Sequence, residues 1–335
     1  MSALEERVHA RSLVAFGQQH EQAVVLSADL TSSTEADGFR DAFPERFVSV
    51  GMAEQNMLGI AGGLAREGFE PLVHDFAVFL YRRALDQLQM SMAYPALPVR
   101  LLGFLPGLTT PGGVTHQAID DLAILRAVPN LTILECGDAT EVEAALNVAH
   151  TVDGPVYLRM LRGRMPRLFS EPLSLGHARE LYPDGDVLLL SSGSCTREAL
   201  VATRALRREH GIEVRHLHIS TLKPFDDPVV LDALTSADQI VIVENHLVAG
   251  GLGTAVAELM AEHGLGGRLQ RLGLRDVYAR GGTQPHLFAI YGIDAAGVAR
   301  ILGQLHGLSE EVSAEALVAA APEAVQARTG AEEDL

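Results

Sequence analysis

The sequence predicts an α/β protein made of two doubly wound open sheets. Short apolar runs rich in Val, Ile and Leu alternate with stretches whose apolar residues recur every three or four positions, the pattern of a parallel sheet covered by helices. That alternation breaks at a segment rich in Arg, Pro and Gly and then restarts, and 335 residues is the length of about two domains at roughly 150 residues each. Residues 1–20 read as an amphipathic helix. Strands are predicted at 23–27, 47–51, 71–73, 99–103, 131–135 and 156–159, with helices at 53–66, 77–93, 118–127 and 140–151. This first domain spans 1–165. Residues 166–185, including Tyr182-Pro183-Asp184-Gly185, read as a linker. A second, smaller domain over 186–307 repeats the pattern, with strands at 187–191, 213–218, 239–243 and 269–274 and helices at 196–209, 252–263 and 295–304. The last segment, 308–335, mixes Ala with acids and reads as a frayed helix and a disordered acidic tail.

Composition narrows the function. Lys and Arg total 26 against 43 Asp and Glu, a formal charge of -17, which repels phosphate backbones and argues against nucleic-acid binding. The apolar runs are as short as 187–190, far from the ~20 residues of a membrane span, so no membrane partner is expected. The two cysteines, Cys136 and Cys195, stand in unrelated contexts without metal-ligand spacing. They fit a reducing cytoplasm. The first 20 residues carry early acids and no continuous apolar core, so no export signal is read there. Lys223 is the lone lysine, which leaves Schiff-base chemistry to that residue or to none.

Two glycine clusters, Gly59-Ile60-Ala61-Gly62-Gly63 and Gly250-Gly251-Leu252-Gly253, invite a phosphate-binding reading, but neither forms GxGxxG. No P-loop pattern occurs either. More informative is Val48-Ser49-Val50-Gly51-Met52-Ala53-Glu54-Gln55-Asn56-Met57, a strand entering a helix at a carboxylate. An acid in a helix's first turn ordinarily serves the macrodipole. Here it has company: His74-Asp75-Phe76-Ala77-Val78-Phe79, then Thr115-His116-Gln117, then Cys136-Gly137-Asp138, then Tyr157-Leu158-Arg159. Each follows a predicted strand, on the carboxyl edge where open parallel sheets bind ligands.

This order resembles the C-terminal half of transketolase, and more closely the separately encoded C-terminal subunit of split transketolases. The resemblance runs from about residue 5 to about residue 305, through Val243-Glu244-Asn245-His246 and Gly273-Leu274-Arg275-Asp276 in the second domain. It implies a pyrimidine-binding domain followed by a transketolase C-terminal domain. It also implies thiamine diphosphate as cofactor, whose deprotonated thiazolium carbon adds to carbonyls. By position, Glu54 is the family's carboxyl group on the aminopyrimidine N1′, and Phe79 with Phe76 is the aromatic pair packing on that ring. Plain core packing is the alternative for both rings. His116 falls on the family's Thr-His-Gln histidine, facing substrate hydroxyls or carrying a proton, although a helix-start histidine also serves as a cap. Arg162 aligns with a substrate-phosphate arginine, or is a solvated linker arginine.

The Gly-Asp-Gly…Asn pair that holds the diphosphate and Mg²⁺ in this family is missing. The resemblance therefore implies an N-terminal partner subunit that carries that domain and most of the metal's ligands, in an α2β2 assembly, and a chain inactive alone. Three departures concern the small-molecule substrate. Glu35 and Asp37 stand where sugar-phosphate transketolases carry an arginine; Phe104 or Leu105 replaces a histidine; and Thr110-Pro111-Gly112-Gly113 replaces a Gly-Glu-Asp-Gly loop. The expected reaction is ketol transfer between a ketose-type donor and an aldehyde acceptor other than a standard pentose phosphate. The alternatives are the β subunit of a 2-oxo acid dehydrogenase or a decarboxylating C–C ligase, and a catalytically silent regulatory paralogue.

Overall fold

Strands buried on both faces set the architecture. The computed structural model describes residues 4–321. In chain order its first strands are β1 (Leu4–Glu6), β2 (Ala23–Ser27), β3 (Phe47–Ser49), β4 (Glu70–Phe76), β5 (Arg100–Phe104), β6 (Thr132–Glu135), β7 (Val156–Met160) and β8 (Arg164–Pro166). The rest are β9 (Arg179–Tyr182), β10 (Val187–Ser192), β11 (Arg215–Ile219), β12 (Thr221–Lys223), β13 (Gln239–Leu247) and β14 (Arg268–Leu274). Every residue of β2, β4, β5, β7 and β10 is buried, as required when helices cover both faces of a sheet.

The larger sheet has seven strands in the order β12-β6-β7-β5-β4-β2-β3. All its neighbours run parallel except the edge pair β12 and β6. The second sheet has the order β14-β13-β10-β11-β9, parallel but for β9. Helix Val8–Gln19 packs beside Ala139–His150, and Glu54–Arg66 beside Ala77–Gln87. Gly62 lets the helical turn that follows, Leu88–Ala93, come close: a Cβ there would sit 2.6 Å from the Ser91 carbonyl oxygen.

Two open sheets were expected; four details differ. Residues 179–182 of the stretch read as linker form β9, an edge strand antiparallel to β11. β12 returns from the second domain's stretch of sequence to pair with β6, so the larger sheet is not built from the first domain alone. The predicted helix 118–127 is one short turn, Asp121–Leu125, because the backbone before it is committed to the second domain: Leu247 N–H donates to the Ile119 carbonyl at 2.8 Å. Within the segment read as a disordered tail, Ala314–Ala320 is a helix capped by Ser313 and packed on helix Cys195–His210; residues 322–335 lie outside the described residues.

The apolar stretch Gln284–Leu305 has the length and composition of a membrane span, but its backbone is two helices, Gln284–Tyr291 and Ala295–Leu305. They are broken at Gly292, whose φ is 66°, and the second is capped by the Asp294 side chain. Leu287, Phe288, Val298 and Leu302 fill the core of the second domain.

The domains are joined through a buried guanidinium. Arg159 on β7 donates from Nε to Asp121 Oδ2 at 2.9 Å, from Nη1 to Glu135, and from Nη2 to the Asn245 carbonyl on β13 at 3.2 Å. Tyr157 Oη donates to the same Asp121 oxygen at 2.8 Å. Removing one member of such a group leaves its partners as uncompensated buried charges, a loss of about 3–5 kcal/mol. Arg159→Met is expected to lower stability by about that amount, read as a lower urea midpoint at unchanged m-value.

Candidate functional site

The site lies outside the carboxyl ends of the large sheet, where the strand order reverses, with β3 and β4 placed on opposite sides of β2. Glu54 opens helix Glu54–Arg66 just after β3. Gly51, at φ 70°, makes the turn that aims the helix start inward. The carboxylate is 5% exposed and paired with Arg83. Arg83 in turn lies over the Phe79 ring, its guanidinium carbon 3.9 Å from the centroid. Phe79 and Arg83 are four residues apart on helix Ala77–Gln87 and so share a face.

Phe76 ends β4, with its ring centroid 6.0 Å from that of Phe79. The His116 ring meets Phe79 edge-on at 5.5 Å and Phe76 at 6.3 Å. Its Nδ1 is 2.8 Å from Thr115 Oγ1, which leaves Nε2 as the atom offered outward. Glu54, Phe76, Phe79 and His116 thus form one connected group, linked through Arg83.

Arg162 is placed elsewhere. It is exposed after β7, and Nη1 donates to the Ser33 carbonyl at 3.0 Å. The neighbouring acids are occupied as well. Glu35 accepts from Gly163 N–H at 2.8 Å and Ala10 N–H at 3.4 Å, and Asp37 takes Arg7. Of the two positions read as replacing a histidine, Phe104 is fully buried against His9 and His74 and Leu105 is buried beside it, so both belong to the core.

The loop from β5 to His116 is held by the second domain. Leu108 N–H donates to Asn245 Oδ1 at 2.9 Å, and Gln117 Nε2 to the Arg280 carbonyl at 3.0 Å. Gly107, at φ 62°, is where the chain passes Asn245 too closely for any Cβ. Behind the site, Asp120 accepts from Tyr81 and, at 2.8 Å, from Arg82, both on the Phe79 helix.

Sequence reasoning missed Arg83 and Asp75. The i, i+4 spacing from Phe79 was the available signal for Arg83. Asp75 shows no signal in sequence, because its property comes from burial. Desolvation pushes its carboxyl up to about 8, and the nearby Glu54 charge adds to that, against the Phe76 N–H and Arg83. Asp75 Oδ1 accepts from Phe76 N–H at 2.7 Å, while Oδ2 is buried without a partner. A buried carboxylate, a neutral acid with an orphaned oxygen and two phenyl rings suit a flat, nitrogen-bearing heterocycle. They offer no set of hard oxygen ligands. Among the described residues, the one group of His, Cys, Asp and Glu close enough to hold a metal is His20, Glu70 and His150, at the other edge of the sheet.

Two sheets of this topology, with a carboxylate and an aromatic pair at the switch point, define a ligand-binding site of an open-sheet α/β protein. Family models for the pyrimidine-binding domain of transketolase and the transketolase C-terminal domain match residues 7–167 and 176–298. A transketolase family protein of Sinorhizobium fredii is 41% identical over 86% of this chain and 84% of its own length. A 6-deoxy-6-sulfo-D-fructose transketolase subunit, SqwH, of a Clostridium species is 37% identical over 86% of this chain and 90% of its own. A split-gene transketolase solved as an inactive β4 tetramer superposes with a TM-score of 0.81 at 35% identity, covering 92% of this chain and all of that one. The chain belongs to the transketolase family. Of these relatives, one is named as a transketolase subunit and one as a split-gene transketolase.

Asp75 generates a pH prediction. Its folded pKa lies above its unfolded value of 3.8, so its contribution to stability is fully present below 3.8 and is lost as pH rises through 8. Asp75→Asn keeps the neutral shape at every pH. The variant is expected to unfold at a higher urea concentration than the parent at pH 8.5, with the gap narrowing toward pH 5.

Proposed function

We propose that this chain is the C-terminal subunit of a thiamine-diphosphate-dependent enzyme that transfers a two-carbon ketol unit from a ketose-type donor to an aldehyde other than a standard pentose phosphate. The observation that carries this reading is the buried Glu54 carboxylate at a helix start, joined through Arg83 to an aromatic wall of Phe79, Phe76 and His116. When bound, the cofactor supplies a carbon nucleophile for a carbonyl substrate. Glu54 holds a proton against a ring nitrogen, Arg83 keeps that carboxyl in place, and Phe76 and Phe79 exclude water beside it. His116 Nε2 exchanges a proton or a hydrogen bond with a substrate hydroxyl, because Nδ1 is taken by Thr115.

The partner is an N-terminal subunit bearing the diphosphate-binding domain and Mg²⁺, in an α2β2 assembly without which this chain is inactive. The apolar surface next to Glu54 supports it: Met52 is 80% exposed, and Met90 and Tyr94, on the segment packed at Gly62, are 53% and 80% exposed. The β4 form of the similar split-gene protein, described as inactive, supports it too. The substrate reading rests on Glu35, Asp37 and Arg162, which are engaged with backbone and with one another's neighbours and leave no free cationic cradle between them. Similarity to a sulfosugar transketolase subunit points the same way. The two free, buried cysteines suit a reducing, cytoplasmic setting.

The test is co-purification of the native assembly followed by acceptor screening. Ketol transfer to unphosphorylated aldehydes is expected to exceed transfer to pentose phosphates, and a clear win for pentose phosphates would overturn the substrate reading. Glu54→Gln, assembled with the partner, is expected to lose at least ~100-fold in kcat, the scale of acid–base catalysis, while the assembly stays intact by light scattering. Undiminished activity would instead mark a silent subunit, and acyl transfer to a lipoyl carrier a dehydrogenase component.

A further inference from the structure

We propose that His20, Glu70 and His150 form a transition-metal site, best suited to Zn²⁺, on the edge of the large sheet opposite the active site. One ligand atom from each lies within 4.8 Å of the other two, so that small side-chain rotations bring all three onto one ion. Glu70 is the first residue of β4 and Phe76 the last, which puts the two sites about 20 Å apart at the usual rise of a strand. The group is therefore independent of the catalytic reading. Two imidazoles and one carboxylate select a borderline cation over Mg²⁺ or Ca²⁺, which take oxygen ligands.

The site is built in advance. Glu70 is buried, and its Oε1 accepts from Arg100 Nε at 2.9 Å, which turns Oε2 toward His150 Nδ1 at 2.8 Å. Arg100 also donates to the Gly154 carbonyl at 2.7 Å and to the His150 carbonyl at 3.5 Å, so one guanidinium orients the carboxylate and fixes the end of helix Ala139–His150. That is the outer-shell support that metal ligands usually receive. His20 caps helix Val8–Gln19; its own carbonyl is held by Arg46 Nη1 at 3.0 Å. Its ring stacks on Phe16 at 4.1 Å, lies 4.2 Å from the His150 ring and makes no hydrogen bond among the described residues. The His150 side chain is 44% exposed, which gives an ion a way in. A bound ion would clip two helix ends to the start of β4.

The test uses the tag-free full-length chain titrated with ZnCl₂ by calorimetry, with Mg²⁺ as the control cation. One Zn²⁺ per chain is expected. His20→Ala and His150→Ala should each weaken binding by at least ~10-fold, and the double variant, folded by circular dichroism, should bind none at this site. The thermal midpoint of the parent should rise with Zn²⁺ while that of the double variant does not. Should the double variant fail to fold, X-ray absorption of the zinc-loaded parent must show two imidazoles on the metal. Absence of stoichiometric binding, binding unchanged in the folded double variant, or a spectrum without two imidazoles would overturn the proposal.

Discussion

The fold depends on a charge that has no access to water. Arg159 is 1% exposed, and a guanidinium so placed is tolerable only when nearby acceptors offset its lost hydration. Asp121 and Glu135 supply the charge, and the Asn245 carbonyl supplies the last acceptor from the other domain. The two sheets are therefore docked in one register, because sliding them would strand an ion instead of merely exposing apolar surface. Directional contacts do here what apolar packing alone does poorly, which is to choose one orientation among many of similar area.

That register reaches the candidate site through short links. Asp121 follows Asp120, which holds Tyr81 and Arg82 on the helix that presents Phe79 and Arg83. Asn245 pins the loop leading to His116 at Leu108. The second domain adds no residue to the group around Glu54, yet it fixes the two elements on which most of that group stands. A site built on such supported elements is held more closely than one carried by free loops.

Much of this was legible in the sequence because it depends on periodicity. The central strands β2, β4, β5 and β7 each hold a short apolar run that announces them, as does a carboxylate entering a helix after a glycine turn. β9 and β12 are four and three residues long, and each carries a charged residue, so neither shows a period. Both depend on an edge supplied from far away in the chain. Glu54, Phe79 and His116 were singled out by local pattern and company, and the fold brings them into one group through Arg83. Arg83 was hidden among the ordinary arginines of a helix, and Asp75 was hidden because a raised pKa comes from the surroundings of a residue and not from its identity. Arg162 matched a pattern by position, and the structure places it apart from that group, donating to the Ser33 carbonyl.

The short strand β12 limits how this polypeptide can be divided. It lies beyond the second sheet's first three strands in sequence, yet it closes the β6 edge of the first domain's sheet. A gene fission that separated the two domains anywhere before residue 221 would leave β6 as an open ladder of unpaired amides and carbonyls, the kind of edge that recruits other chains. Cutting this chain there would leave the first domain with an unfinished sheet, so the pair of domains is a single unit of folding.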